Sequence, residues 1–236
     1  MKKLFFLLAS AALLSFPLHA QRFHAGFTAG VTVTDIPGMD ARDGDLDFNK
    51  LGLVGGGIVS SQLNEQNDLQ FEINYIQKGS SQRPDSLNNG QFRLSLDYIE
   101  VPLVFRHRMN IALRQRTVKR FGLEAGVSVA QLVRFKEVAN NYPQTVYASY
   151  FNKTEVSLLA GVDCFLTDRL MFSLRYSNSV IPAVKRNGQM PGFYLYTFNQ
   201  GNNMVFQLAF KFIFGETGNA KSDVVHPQED AQPQEN

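Results

Sequence analysis

Charged side chains recur at alternate positions along this sequence, and that spacing decides what chemistry is open to them. Glu72, Glu124, Asp163, Arg175 and Lys211 each stand between two largely apolar neighbours, as in Phe71-Glu72-Ile73 and Phe210-Lys211-Phe212. On an extended chain this pattern sends the charge to one face and its neighbours to the other. Charges gathered in one enclosed space must pair, because an unpartnered ion out of water is very costly. The expectation is a structural ion network, and a proton or solute path through these groups is the sharper alternative.

Other chemistry finds little support. Nucleophilic catalysis needs a base beside the nucleophile. The four histidines are His19, His24, His107 and His226. His19 falls in an export segment, His226 in a polar tail, and His107 between Arg106 and Arg108 in a connection. His24 has no Ser-containing motif beside it, so no catalytic residue is expected. Cys164 is the only cysteine, which excludes an intramolecular disulfide and a multi-cysteine metal site. No cofactor or metal is expected. Gly55-Gly56-Gly57 is followed by neither a helix signal nor Lys-Ser/Thr, so it is no phosphate loop. Arg106, Arg108, Arg114, Arg116, Lys119 and Arg120 form an acid-free basic run, read as a turn whose cations anchor a rim at lipid headgroups.

The elements that position the alternating charges are strands. Phe23, Ala25, Phe27, Ala29, Val31 and Val33 alternate with small or polar residues, which is the period of a strand with one apolar face. The pattern recurs at 69–75, 121–129, 156–164, 170–176 and 204–214, and less cleanly at 50–61 and 92–106. That makes eight strands with no helical period between them. Strands of this length suit a membrane-crossing barrel, in which about 9–11 tilted residues span the hydrocarbon. The connections 34–49, 78–91, 135–153 and 177–203 are long, whereas 62–67, 107–117 and 167–169 are shorter. Long external loops alternating with short periplasmic turns are the habit of outer-membrane barrels. The fold class expected is all-β, an eight-stranded antiparallel up-and-down transmembrane β-barrel. Its interior is narrow enough to be filled by side chains. In the fourth strand the apolar set moves from even positions (Phe92, Leu94, Leu96, Tyr98) to odd ones (Ile99, Val101, Leu103, Phe105), which predicts a β-bulge at Tyr98-Ile99.

The ends differ from the body. Lys2 and Lys3 precede an apolar run from Leu4 to Phe16, and Pro17 to Ala20 supplies a cleavage point. This is the layout of a signal peptide over 1–20, so the mature chain works outside the cytoplasm and meets no nucleic acid. The segment 215–236 carries five acids against Lys221 and almost nothing apolar, and is expected to be a disordered periplasmic tail. Residues 21–214 form the barrel, with 20 basic and 16 acidic residues. Mean hydropathy over the chain is -0.16, which rules out a bundle of membrane helices but not a barrel, whose two faces cancel in an average.

Tyr75-Ile76-Gln77-Lys78-Gly79, followed by Asp97-Tyr98-Ile99-Glu100-Val101-Pro102-Leu103, resembles the PorT-type outer-membrane β-barrel family. The resemblance covers about 22–214. It implies a porin-like eight-stranded barrel in the bacterial outer membrane, handled by the barrel-assembly machinery and surrounded by outer-membrane lipid. It implies little about activity, since the family includes a secretion-system component. The role expected is non-enzymatic, structural or interactive, through long extracellular loops. Phe193, Tyr194, Tyr196 and Phe198 are the candidate contact surface for an extracellular or periplasmic protein partner. A narrow porin is the second reading, and a membrane-embedded lipid-modifying enzyme the third.

Overall fold

The computed structural model describes residues 23–37, 48–82, 92–113, 117–139, 142–144, 148–185 and 201–214. The strands are β1 (Phe23–Asp35), β2 (Lys50–Gln62), β3 (Asn67–Gln82), β4 (Phe92–Leu113), β5 (Thr117–Ala139), β6 (Tyr142–Gln144), β7 (Thr154–Phe165), β8 (Leu170–Ser179) and β9 (Met204–Ile213). A single 3₁₀ turn covers Ala148–Tyr150. Every pairing is antiparallel, and β1 pairs with both β2 and β9 while β4 pairs with β5. The sheet therefore closes on itself. The short β6 lies on the upper end of β5, outside the circuit, so eight strands make the wall.

The wall is inside-out relative to a soluble domain. Phe27, Phe71, Leu103, Leu123, Leu174 and Phe210 are exposed on its outer face, whereas Thr28, Gln70, Glu72, Glu124, Arg175 and Lys211 are buried within. Lipid replaces water around the outer residues, so their exposure is no penalty. The lumen must then satisfy its polar groups internally. Gly56 shows how tightly the wall curves. A Cβ there would overlap the Ile73 carbonyl and the Asn74 amide oxygen, whereas one at Gly57 would meet open space. Of the three consecutive glycines, then, the lumen-facing one is required by close approach.

Two details differ from the sequence expectation, and a third adds to it. First, the connection read as 107–117 is mostly strand, since β4 runs to Leu113 and β5 begins at Thr117. Arg106 and Arg108 are consequently wall residues. Arg106 is buried in the lumen rather than set at a rim. His107 likewise sits in β4, its Nδ1 2.8 Å from the Asn67 side-chain oxygen. Second, the irregularity falls at Asp97/Tyr98, one position before the expected Tyr98-Ile99, and the extra residue belongs to β5. Asp97 pairs with Arg134 and Tyr98 with Leu132, leaving Val133 unopposed. In β4 the even residues Leu94, Leu96, Tyr98 and Glu100 stay buried throughout. The shift of apolar residues along β4 marks a change of lumen lining, with no flip of that strand. Third, β2 pairs with β3 only from Val54↔Ile76 downward. Above that point the Thr32 and Thr34 hydroxyls donate to the Gln77 and Gly79 carbonyls, 2.8 Å each. Gly52 permits this approach, because a Cβ there would lie 2.6 Å from the Thr32 hydroxyl. The segments 1–20 and 215–236 lie outside the described residues.

Candidate functional site

Strand alternation brings all five sequence-predicted charges into one lumenal network. Arg175 on β8 is its hub. Its Nε donates to Glu124 Oε1 at 2.8 Å, and Nη2 and Nη1 donate to the two Glu72 oxygens at 2.7 and 3.1 Å. Lys211 on β9 bridges Glu124 Oε2 at 2.7 Å and Asp163 Oδ1 at 3.1 Å. The other Asp163 oxygen meets Arg106 Nε at 2.6 Å. Arg106 also donates to Gln70, and Gln70 in turn to Glu72. Asn74 adds a 2.6 Å bond to Glu72. Toward the end bearing the short turns, Arg108 grips Asp68 through two 2.7 Å bonds. Four carboxylates (Asp68, Glu72, Glu124, Asp163) thus face four cations (Arg106, Arg108, Arg175, Lys211). Planar guanidinium forks suit such bidentate pairing.

A second charged layer lies nearer the long connections. Lys78 donates to Glu155 at 2.7 Å and Glu100 at 3.2 Å. Ser128 donates to Glu100 at 2.7 Å and Ser157 to Glu155 at 2.9 Å, while the Asn203 amide donates to the other Glu155 oxygen. The ammonium lies 5.3 Å from the Tyr98 ring centre. Sequence reasoning missed this layer and the Asp68–Arg106–Arg108 extension. Lys78 was placed in a connection because β3 is longer than its clean alternation. Glu100 and Arg106 did carry a signal, since the outward Ile99, Val101, Leu103 and Phe105 force both inward.

Apolar layers bracket the charges. Ile58, Met171 and Ile213 are buried together with Phe165 against them, toward the short turns. At the other end Ile36, Val54, Ile76, Leu94, Leu96 and Tyr98 pack with Phe151, Ala183 and Val184. The last three belong to connections, and backbone bonds lace those connections together. Asn152 N donates to Ala183 O at 2.7 Å, Lys185 N to Tyr150 O at 2.8 Å, Val184 N to Gly201 O at 3.1 Å and Gly201 N to Pro37 O at 2.9 Å. Phe151 is 2% exposed and Val184 1%, so this mouth is stoppered.

Among the described residues, this arrangement pairs charge with charge. The His24 ring is half-buried on β1 beside Ser60, whose hydroxyl bonds the His24 carbonyl at 3.5 Å rather than the ring. Among the described residues no group of three His, Cys, Asp or Glu side chains is placed to hold a metal ion. Cys164 is free, on the outward-facing parity of β7. The loop residues Phe193, Tyr194, Tyr196 and Phe198 lie outside the described residues.

The model of a family described as the outer membrane protein beta-barrel domain matches residues 15–184. No curated protein matches the sequence. Among solved structures, the attachment invasion locus protein Ail of Yersinia pestis is 10% identical with a TM-score of 0.44, over 81% of this chain and 98% of that one. Neisserial surface protein A is 12% identical with a TM-score of 0.40, over 80% and 96%. OprG from Pseudomonas aeruginosa is 9% identical with a TM-score of 0.34, over 81% and 94%.

Proposed function

Since the chain belongs to the outer membrane protein beta-barrel domain family and lies in the bacterial outer membrane, we propose that it is a non-enzymatic, non-conducting barrel that acts through its external loop end. The observation that carries this reading is the filled lumen. Two charged layers and two apolar layers occupy it from end to end. A water path would have to break buried ion pairs, each of which leaves an uncompensated charge worth about 3–5 kcal/mol. The resemblance of Tyr75–Gly79 and Asp97–Leu103 to the PorT-type family agrees with an envelope- or secretion-associated role, in which a rigid barrel holds loops for a protein partner. A signal peptide over 1–20 and a periplasmic tail over 215–236 fit this reading, since eight strands with both termini on the periplasmic side put the long connections outside.

The test is complementation of a deletion strain in the native host. A chain in which residues 186–200 are replaced by a short Gly-Ser turn should still fold, shown by heat-dependent gel mobility, and should fail to complement. A mild lumen variant, Ser173→Ala, should complement fully. Full complementation by the loop replacement would overturn the proposal.

A further inference from the structure

The extra residue in β5 has a chemical consequence on the outer surface. Below Val133 the odd residues of β5 face outward, with Leu123, Val127 and Val129 exposed to lipid. Above it the parity is reversed: Arg134 and Lys136 are exposed and Glu137 is buried. Without the bulge, Arg134 and Lys136 would enter the lumen and Phe135 and Glu137 would face out. The neighbouring strand adds Arg93, also exposed. Lys136 pairs with Ser95 and Arg134 with Asp97, so Arg93 lies diagonally next to Lys136, about 7–8 Å away between backbones. Exposed Lys153 borders the same strand, its carbonyl accepting Leu132 N at 2.7 Å. The one acid on this face, Asp97, is buried and bonded to the Tyr75 hydroxyl at 2.7 Å, while the Arg134 guanidinium stands 3.8 Å off. Arg93, Lys136 and Lys153 have no acid partner among the described residues.

The height of this patch matters. The outward apolar residues of β5 run from Phe121 to Val129, roughly 20 Å of height at ordinary strand rise and barrel tilt, and exposed Gln131, which accepts a hydrogen bond from Thr154, ends the run near the top of an apolar band about 25 Å tall. Arg134 and Lys136 therefore enter the headgroup layer. Among the described residues, exposed Leu51, Leu53, Val180 and Ile181 stand elsewhere on the same rim, and exposed Lys185 is engaged by the Ser149 carbonyl at 2.7 Å.

We propose that the outer face of β4 and β5 above the bulge is a binding site for phosphate monoesters on anionic lipid headgroups of the outer leaflet. Acyl chains lie against Val129 and Val133, and the phosphates bridge Arg93, Arg134 and Lys136 with Lys153 at the edge. The bulge is the device that builds the site, since it turns two cations outward at the required height.

Native mass spectrometry of the full barrel in detergent tests this with a bisphosphorylated glycolipid and its dephosphorylated form. The wild type should retain the phosphorylated lipid at least about tenfold better, with a preference that falls as salt is raised. The triple variant Arg93→Gln/Arg134→Gln/Lys136→Gln should lose most of that preference while keeping its heat-dependent gel mobility. The turn-end variant Arg169→Gln should keep it. Equal retention of the two lipids by the wild type, or an unchanged preference in the triple variant, would overturn the site. Inorganic phosphate alone should not displace the lipid; displacement by it at comparable concentration would overturn a lipid headgroup as the source.

Discussion

The two charged layers of the lumen solve the same problem in different ways. In the turn-side layer, cations and carboxylates match four to four, and Arg175 and Lys211 each bridge two acids. In the loop-side layer a single cation, Lys78, serves Glu100 and Glu155, and neutral donors supply the rest. One of those donors, Asn203, stands just before β9 at the end of the longest connection, its backbone N bonded to Ser179 Oγ at 2.8 Å. The first layer is self-sufficient within the wall. The second depends on where a connection places its residues, and so couples lumenal charge to loop geometry.

Removing the hub separates them most clearly. Arg175→Met leaves Glu72 and Glu124 buried without their main partner and should cost about 3–5 kcal/mol, read as a lowered midpoint in urea unfolding from lipid vesicles. Lys78→Met should cost less, about 2–3 kcal/mol, because Ser128, Ser157 and Asn203 still donate to its carboxylates. A larger loss at Lys78 would reverse the ranking of the two layers.

The lipid face supplies the next contrast. Leu208→Arg places a charge on the outer wall and should destabilise by about 2–4 kcal/mol. Gln207→Glu, one residue away but lumenal and opposite Arg175 in the sheet, puts a nearly isosteric acid beside a cation and should be milder. Equal losses in the same assay would break the assignment of faces. Asn203→Ala is expected to cost about 1.5–3 kcal/mol, the range for a hydrogen bond to a charged group. Its protease sensitivity should rise in the 180–203 connection and nowhere in the turns. A uniform rise would sever the proposed coupling.

The smallest effect is at Glu137, above the membrane span, whose buried oxygens have no hydrogen-bond partner among the described residues. Burial pushes this carboxyl above its ordinary value of 4.5. The folded state therefore holds the proton more tightly than the unfolded chain does. Its unfavourable contribution is absent below the unfolded value, grows as pH rises through the window, and is complete above the folded value. Glu137→Gln should raise stability modestly at pH 7 and leave it unchanged near pH 3. A variant less stable at pH 7 would show that the carboxylate is useful there.

Much of this was legible in the sequence because a barrel writes its two faces as a strict alternation. The alternation located the eight wall strands, the closing β9 and the inward charges at Glu72, Glu124, Asp163, Arg175 and Lys211. Strand ends were harder, since apolar contrast fades where the wall leaves the hydrocarbon. For that reason the expected connections take in Lys78, His107 and Arg108, although all three are wall residues. The bulge was visible as a change of apolar parity in β4, but parity cannot say which of two paired strands carries the extra residue. That answer needed the register of Asp97 with Arg134. The stoppered loop end was not legible at all, because Phe151, Ala183 and Val184 lie in connections whose path no periodicity encodes.

Single-channel recording in planar bilayers tests the filled lumen most directly. Purified, folded barrel inserted at low density is expected to give no steady open-channel current at either polarity, in wild type and in Asn203→Ala alike. Stable, ohmic steps that scale with salt concentration in the wild type would contradict the account, because ions would then be passing through layers that the structure fills with paired charges and apolar side chains.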